Sequence, residues 1–251
     1  VTSIGGYAFQ NAKTLTSITI PNTVTSIGTY AFQYAESLIS ITIPDSVTQI
    51  WARVFEYTTS LNSITFGANS QLTTIGNYAF RNATSLTSIA IPDGVTRIND
   101  YTFYNATSLT SVTFGENSLL NTIGSFAFET ATSLTSIIIP DTVTNIGNEA
   151  FRYTYNLASI TIPDSVNNIG KMAFDNIENY STVYVIDVSP NVTFEEFKVK
   201  FNNSTNRTIT YVDLSLSLTA FELNVCDPGA DIIARAGLED KWNSNPYIRC
   251  N

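Results

Sequence analysis

Histidine is absent from all 251 residues of this chain. That removes the Ser-His-Asp and Cys-His nucleophile pairs and every histidine-based zinc site. Cysteine is nearly as scarce, and the two present, Cys226 and Cys250, cannot build a four-thiolate metal site. Charged residues make up only 13% of the chain, and 21 Asp and Glu against 12 Lys and Arg leave a net charge of −9. A chain so poor in positive charge lacks the basic face that phosphate demands, which argues against nucleic acid and against a polybasic membrane-surface patch. No apolar run approaches the roughly 18 residues of a membrane span, so membrane insertion is not expected. There is no G-x-x-x-x-G-K-[ST], and Gly229 and Gly237 in PGADIIARAG do not make a dinucleotide fingerprint. A glycosidase needs only two carboxylates, but the adjacent pair Glu195 and Glu196 sits at an expected helix start and reads as capping. These absences predict a chain that is not an enzyme and carries no metal or cofactor.

What is abundant is repetition. The segment LTSITIPNTVTSIGTYAF begins at Leu15, and the unit restarts at Leu38, Leu61, Leu86, Leu109, Leu134 and Leu157, with a degenerate copy from Tyr180. Val1 to Thr14 is the tail of an earlier copy, and the spacings are 23, 23, 25, 23, 25, 23 and 23 residues. A period in the low twenties with leucine and isoleucine at fixed offsets is the pattern of a leucine-rich-repeat solenoid, in which each unit is one coil and no coil folds alone. In LTSITI the alternation predicts a short strand with Leu15, Ile18 and Ile20 inward and Ser17 and Thr19 outward. Pro21 ends it, because proline offers no N–H to a ladder. VTSIG predicts a second short extended segment with Val24 and Ile27 inward, turned by Gly28. Ala31 to Ala35 predicts a short 3₁₀ or helical turn with Phe32 buried, and phenylalanine recurs there at 9, 32, 55, 80, 103, 128, 151 and 174 as an aromatic spine.

The pattern L-x-x-I-x-I-P-x-x-V-x-x-I-G-x-x-A-F, met without a gap by LTSIIIPDTVTNIGNEAF from Leu134 to Phe151, resembles the BspA-like leucine-rich repeat. The resemblance covers about residues 1 to 185. It implies a solenoid with a parallel β-sheet on the concave face and short strands and turns on the convex side. It also implies secreted or surface-displayed proteins of bacteria, protists and large viruses that bind proteins or matrix, with no shared catalytic residues. Family members often carry cysteine three residues after the phenylalanine, where this chain has Ala or Thr.

Stacking turns each repeat position into a column. On the strand face one column runs Ser17, Ser40, Ser63, Ser88, Ser111, Ser136 and Ser159 and ends in Thr182. The other runs Thr19, Thr42, Thr65, Ala90, Thr113, Ile138 and Thr161 and ends in Tyr184. Small β-compatible residues are what a solvated sheet needs, and they also suit a recognition face for an extracellular protein or glycan. Ser63, Thr65, Ser88, Ser111, Thr113 and Ser136 are its central candidates. Tyr78 and Tyr101 belong to a column two residues before the spine, with Tyr7, Tyr30 and Phe126, interrupted by Arg53. Such tyrosines either pack against the coil edge or anchor a partner. Asp45, Asp93, Asp141 and Asp164 follow the strand ends as turn formers. Asn82, Asn105 and Asn191 are glycosylation candidates, the first two on one turn column expected to be exposed.

The period is lost after Val185, so the chain divides into a solenoid over 1–185 and a small α+β capping segment over 186–251. Thr193 to Glu196 resembles a capping box ahead of a helix over 194–202, Ile209 to Val225 alternates as one or two strands, and Asp227-Pro228 predicts a helix through Ala236. Cys226 and Cys250 flank that last segment and read as one disulfide in an oxidising compartment, the alternative being two cytosolic thiols. The expected setting is extracellular, or a cell or virion surface. The chain opens in mid-repeat without an initiator Met, so further repeats upstream or a covering partner are expected at that edge. The alternative to recognition is therefore a structural segment of a larger assembly that self-associates through its N-terminal edge.

Overall fold

The computed structural model describes residues 1–157, 159–163, 165–174, 182–187, 208–213 and 230–234. Each unit from Leu38 to Leu157 contributes two strands, most of them laddered to their counterparts in the neighbouring coil, whereas Leu15 to Ile20, where the alternation predicts a strand, forms none. The longer ones are β3 (Ser40–Ile43), β5 (Ser63–Phe66), β7 (Ser88–Ile91), β9 (Ser111–Phe114), β11 (Ser136–Ile138) and β13 (Ser159–Thr161). The two-residue ones are β1 (Ser3–Ile4), β2 (Ser26–Ile27), β4 (Gln49–Ile50), β6 (Thr74–Ile75), β8 (Arg97–Ile98), β10 (Thr122–Ile123), β12 (Asn145–Ile146) and β14 (Asn168–Ile169). All the short strands join one parallel eight-stranded sheet, β1-β2-β4-β6-β8-β10-β12-β14. The result is a parallel β-solenoid whose core is one continuous cluster of leucine, isoleucine, valine, alanine and phenylalanine. Val24, Ile27 and Leu38 are fully buried, as expected from their recurrence at fixed repeat positions.

The phenylalanine spine forms as expected. Phe9, Phe32, Phe55, Phe80, Phe103, Phe128, Phe151 and Phe174 stack ring on ring, with centroids 5.0 to 5.5 Å apart. The small residue three positions on lets each coil close, and where it is threonine the hydroxyl is satisfied locally: Thr58 Oγ1 donates to the Phe55 carbonyl at 2.7 Å.

The turn carrying the spine is not helical, and no helix occurs among the described residues. The residues two before and two after each phenylalanine from Phe9 to Phe151 lie in the left-handed region, with φ between 53° and 62°: Tyr30 and Tyr34, Arg53 and Tyr57, Tyr78 and Asn82, Tyr101 and Asn105, and so on along the array. The hydrogen bonds explain why. Tyr30, Phe32 and Tyr34 donate their N–H to Ala52, Val54 and Glu56 of the next coil at 2.9 to 3.1 Å, while Ala31, Gln33 and Ala35 close successive turns onto Gly28, Tyr30 and Phe32. A helix would draw every N–H inward to i−4 and leave the next coil without donors. Interlocking the coils therefore overrides the ordinary aversion of bulky residues to positive φ.

One of these positions is badly suited to its residue. Thr130 is β-branched at φ 61° in the column that holds Asn82 and Asn105. Thr130→Asn is expected to raise stability by about 1 kcal/mol, since asparagine tolerates this conformation. A urea melt checks it, and an unchanged midpoint would contradict it.

The last units depart from the expected columns. β15 (Thr182–Asp187), β16 (Thr208–Asp213) and β17 (Ala230–Ala234) continue the strand-face sheet in the order β11-β13-β17-β15-β16. Ser159 therefore pairs with Ile232, and Thr182 pairs with Ala230 rather than continuing the serine column directly. The segment expected to be helical after Pro228 instead supplies β17: Ile232 and Ile233 are β-branched, and β13 offers them an open parallel edge. The helix expected over 194–202, Asn191, Cys226 and Cys250 lie outside the described residues.

Candidate functional site

Two surfaces carry the candidates. The first is the strand face. Ser63, Ser88 and Ser111 stand in one register across β5, β7 and β9, and Ala90 pairs with Thr113. Thr65, Ser88, Thr113 and Ser136 are exposed, Ser63 and Ser111 half-buried. Ser111 and Ser136 line one cleft of about 530 Å³, and a second of about 350 Å³ is lined by Thr65 and Ala90. Ile138, which takes the place of threonine in its column, is 70% exposed there. No charged side chain stands in either column, so this face offers hydroxyls and a little apolar surface to a partner.

The second surface is the turn side. Tyr78 and Tyr101 stack at 4.7 Å and Tyr101 on Phe126 at 4.5 Å, each half-buried, so both tyrosines belong to a turn ladder and not to the strand face. Arg53 does not break that ladder. Its guanidinium lies 5.8 Å from the Tyr30 ring and 4.1 Å from the Tyr78 ring, replacing a ring with a cation.

Beside it runs a column that sequence reasoning missed: Gln10, Gln33, Glu56, Arg81, Tyr104, Glu129 and Arg152, each directly after a spine phenylalanine. Gln10 Nε2 donates to Gln33 Oε1 at 2.7 Å, and Gln33 Nε2 donates to Glu56 Oε2 at 2.6 Å. Glu56, only 1% exposed, also accepts from Arg53 at 3.3 Å and Arg81 at 3.0 Å. Burial works against the Arg81 charge, but the hydrogen bond to Glu56 together with the charges of Glu56, Tyr57 and Tyr104 outweighs it and holds the guanidinium above its ordinary range. The signal was available: in a stacked array, Glu56 next to Arg81 and Glu129 next to Arg152 at one repeat position are neighbours in space.

Burial and the neighbouring Glu149 push the Glu129 carboxyl up, against the pull of Arg152. A carboxyl raised in the folded state contributes stability below its unfolded value, and loses it as pH rises through the folded one. Glu129→Gln is therefore expected to remove a decline in stability just above the ordinary carboxylate range. Melts from pH 4 to 8 check this, and parallel curves for the two proteins would contradict it.

The asparagine column is less open than expected. Asn82 is 9% exposed, and its Oδ1 accepts from Asn105 Nδ2, the atom that a glycan would occupy on Asn105, at 2.7 Å. Asp45 reaches beyond its own turn to the next coil, where its Oδ1 accepts from the Asn69 N–H at 3.0 Å.

Comparison with known proteins accounts for this arrangement. The model of the BspA type Leucine rich repeat region matches in six copies over residues 2–121 and 96–224. The chain belongs to that family. Among solved structures, the BspA-type chain is similar to a leucine-rich repeat protein from Bacteroides ovatus, with 30% identity and a TM-score of 0.70. That similarity covers 84% of this chain and 52% of the other, so the chain spans about half the length of that protein. It is also similar to a leucine rich cell surface protein from Faecalibacterium prausnitzii, at 27% identity over 70% of this chain and 62% of that one, with a TM-score of 0.49. A search of curated protein sequences finds no match.

Proposed function

We propose that this BspA-type chain is a non-enzymatic recognition module, displayed outside the cell, that holds a protein or glycan partner across its strand face. One observation carries the reading. The Ser/Thr columns of β5, β7, β9 and β11 form an uncharged face that is interrupted by two clefts, with Ser111 and Ser136 at the larger. Within the larger cleft Ile138, 70% exposed, adds apolar surface to the hydroxyls. Family membership supports the reading, since stacked coils give a long surface built to hold a partner.

The test is a binding screen of the immobilised chain against extracellular-matrix proteins and a glycan array, with the Ser111→Glu, Ser136→Glu variant alongside. A partner bound by the parent and lost in the folded variant is expected. Silence across the panel would shift the reading to a structural segment of a larger surface assembly.

A further inference from the structure

The two 25-residue units change the sheet in a way that the 23-residue units do not. β3 pairs with β5 over four residues, Ser40↔Ser63 to Ile43↔Phe66, and β7 pairs with β9 over four, Ser88↔Ser111 to Ile91↔Phe114. After each longer unit the pairing fails. β5 and β7 share only Ser63↔Ser88, and no ladder joins β9 to β11, where one sheet ends and the next begins. The coils stay closed elsewhere at that junction. β10 and β12 remain in register, and Phe126 and Phe128 donate to Asn148 and Ala150 at 2.8 and 2.7 Å. The ladder is broken on the strand side alone.

Its cause is legible in the residues. Phe66-Gly67 and Phe114-Gly115 replace the Ile-Pro that ends the other strands, and two extra residues follow. These form turns tied back to the preceding coil, with Gln71 N–H donating to the Asp45 carbonyl at 3.0 Å and Leu119 N–H to the Asp93 carbonyl at 2.9 Å. Each longer unit thus grips the coil before it and releases the coil after it.

The larger cleft is the specialised one. Phe114 is half-buried in it, Ile138 is 70% exposed, Glu116 and Asp141 line it, and no lysine or arginine does. The strand edges of β9 and β11 that face each other across it make no ladder bonds to each other. An apolar lining takes the alternate side chains of an extended segment, and a one-signed lining selects the opposite charge.

We propose that the cleft between β9 and β11 docks an extended peptide segment in which apolar and basic residues alternate. This deepens the strand-face reading above and rests on it. The apolar residues meet Phe114 and Ile138, and the basic ones meet Glu116 and Asp141. A glycan would supply hydroxyls but no positive charge for the two carboxylates.

The test uses the full chain and a fluorescein-labelled Lys-Val-Lys-Val-Lys-Val peptide read by anisotropy, with Glu-Val-Glu-Val-Glu-Val as its counterpart. Two substitutions come from the chain's own columns and so respect the fold. Ile138→Thr restores the residue of Thr65 and Thr113, and Glu116→Ala copies Ala68 of the other long unit. The basic peptide is expected to bind at least about tenfold more tightly than the acidic one, and the double variant to lose about tenfold in affinity. Equal binding of the two peptides, or unchanged affinity in the double variant, would overturn the proposal. A glycan that is lost in Ser111→Glu, Ser136→Glu but indifferent to Ile138→Thr, Glu116→Ala would overturn the peptide cleft and leave the strand-face reading standing.

Discussion

Phe103→Ala is expected to lower the stability of the array by about 3–5 kcal/mol, the range for removing a fully buried phenylalanine. Phe103 sits at the middle of the spine, fully buried, 5.4 Å from the Phe80 ring and 5.2 Å from the Phe128 ring. Its loss opens a cavity shared by two inter-coil contacts, and stability in a solenoid is a sum over such contacts. The N-terminal and C-terminal coils should then melt in separate steps. Phe103→Leu keeps most of the buried volume and is expected to cost less. Calorimetry on the three proteins checks this, and a loss below about 1 kcal/mol for the alanine variant would mean that the spine is incidental to the stack.

The second large effect is expected at Glu56. This carboxylate accepts from Gln33, Arg53 and Arg81, and removing it leaves two guanidiniums facing one another beside a dangling amide. Breaking a buried charge pair by deleting one member costs about 3–5 kcal/mol, whereas exchanging the whole group for apolar residues is often neutral. Both arginines are about one-third exposed, which places Glu56→Ala near the lower end. Glu56→Gln preserves the hydrogen-bond chain from Gln10 and should cost less than the alanine. A thermal melt with Glu56→Ala alone and with Arg81→Leu added separates the cases. The second substitution should recover part of the loss, and an additive loss would contradict the paired reading.

The residues explain why some features were legible and others were not. The strands follow from alternation, since Ile41 and Ile43 can only point one way if Ser40 and Thr42 point the other, while Leu38, ahead of the strand, is buried as a leucine recurring at one repeat position. The spine follows because a phenylalanine at one repeat position must meet its copies. The turn conformation was not legible. Ala31 to Ala35 has a helical composition, and only the need of the next coil for donors from Tyr30, Phe32 and Tyr34 rules the helix out. That need is a tertiary fact which local propensity does not record.

The serine column stands in register from Ser40 to Ser111 and again from Ser136 to Ser159, on either side of the break between β9 and β11. The clefts were not legible, although the two extra residues of the longer units were visible. Reading their consequence requires knowing that Gln71 and Leu119 bond backward rather than forward. Arg53 looked like an interruption of a tyrosine column. Arg53 continues it through its guanidinium, and Arg152 bridges to Glu149 and stacks 4.4 Å from the Tyr153 ring.

The central claim is that the partner lies across the strand face, and a matched-charge comparison on one bound partner tests it most directly. Ser111→Glu with Ser136→Glu places two negative charges on that face. Asn77→Glu with Thr96→Glu places the same two charges on exposed positions outside the strand columns. Equilibrium binding should fall at least about tenfold for the first pair and stay at the parent value for the second, with both variants melting as the parent does. Equal losses in the two pairs, or a loss confined to the second, would contradict the account.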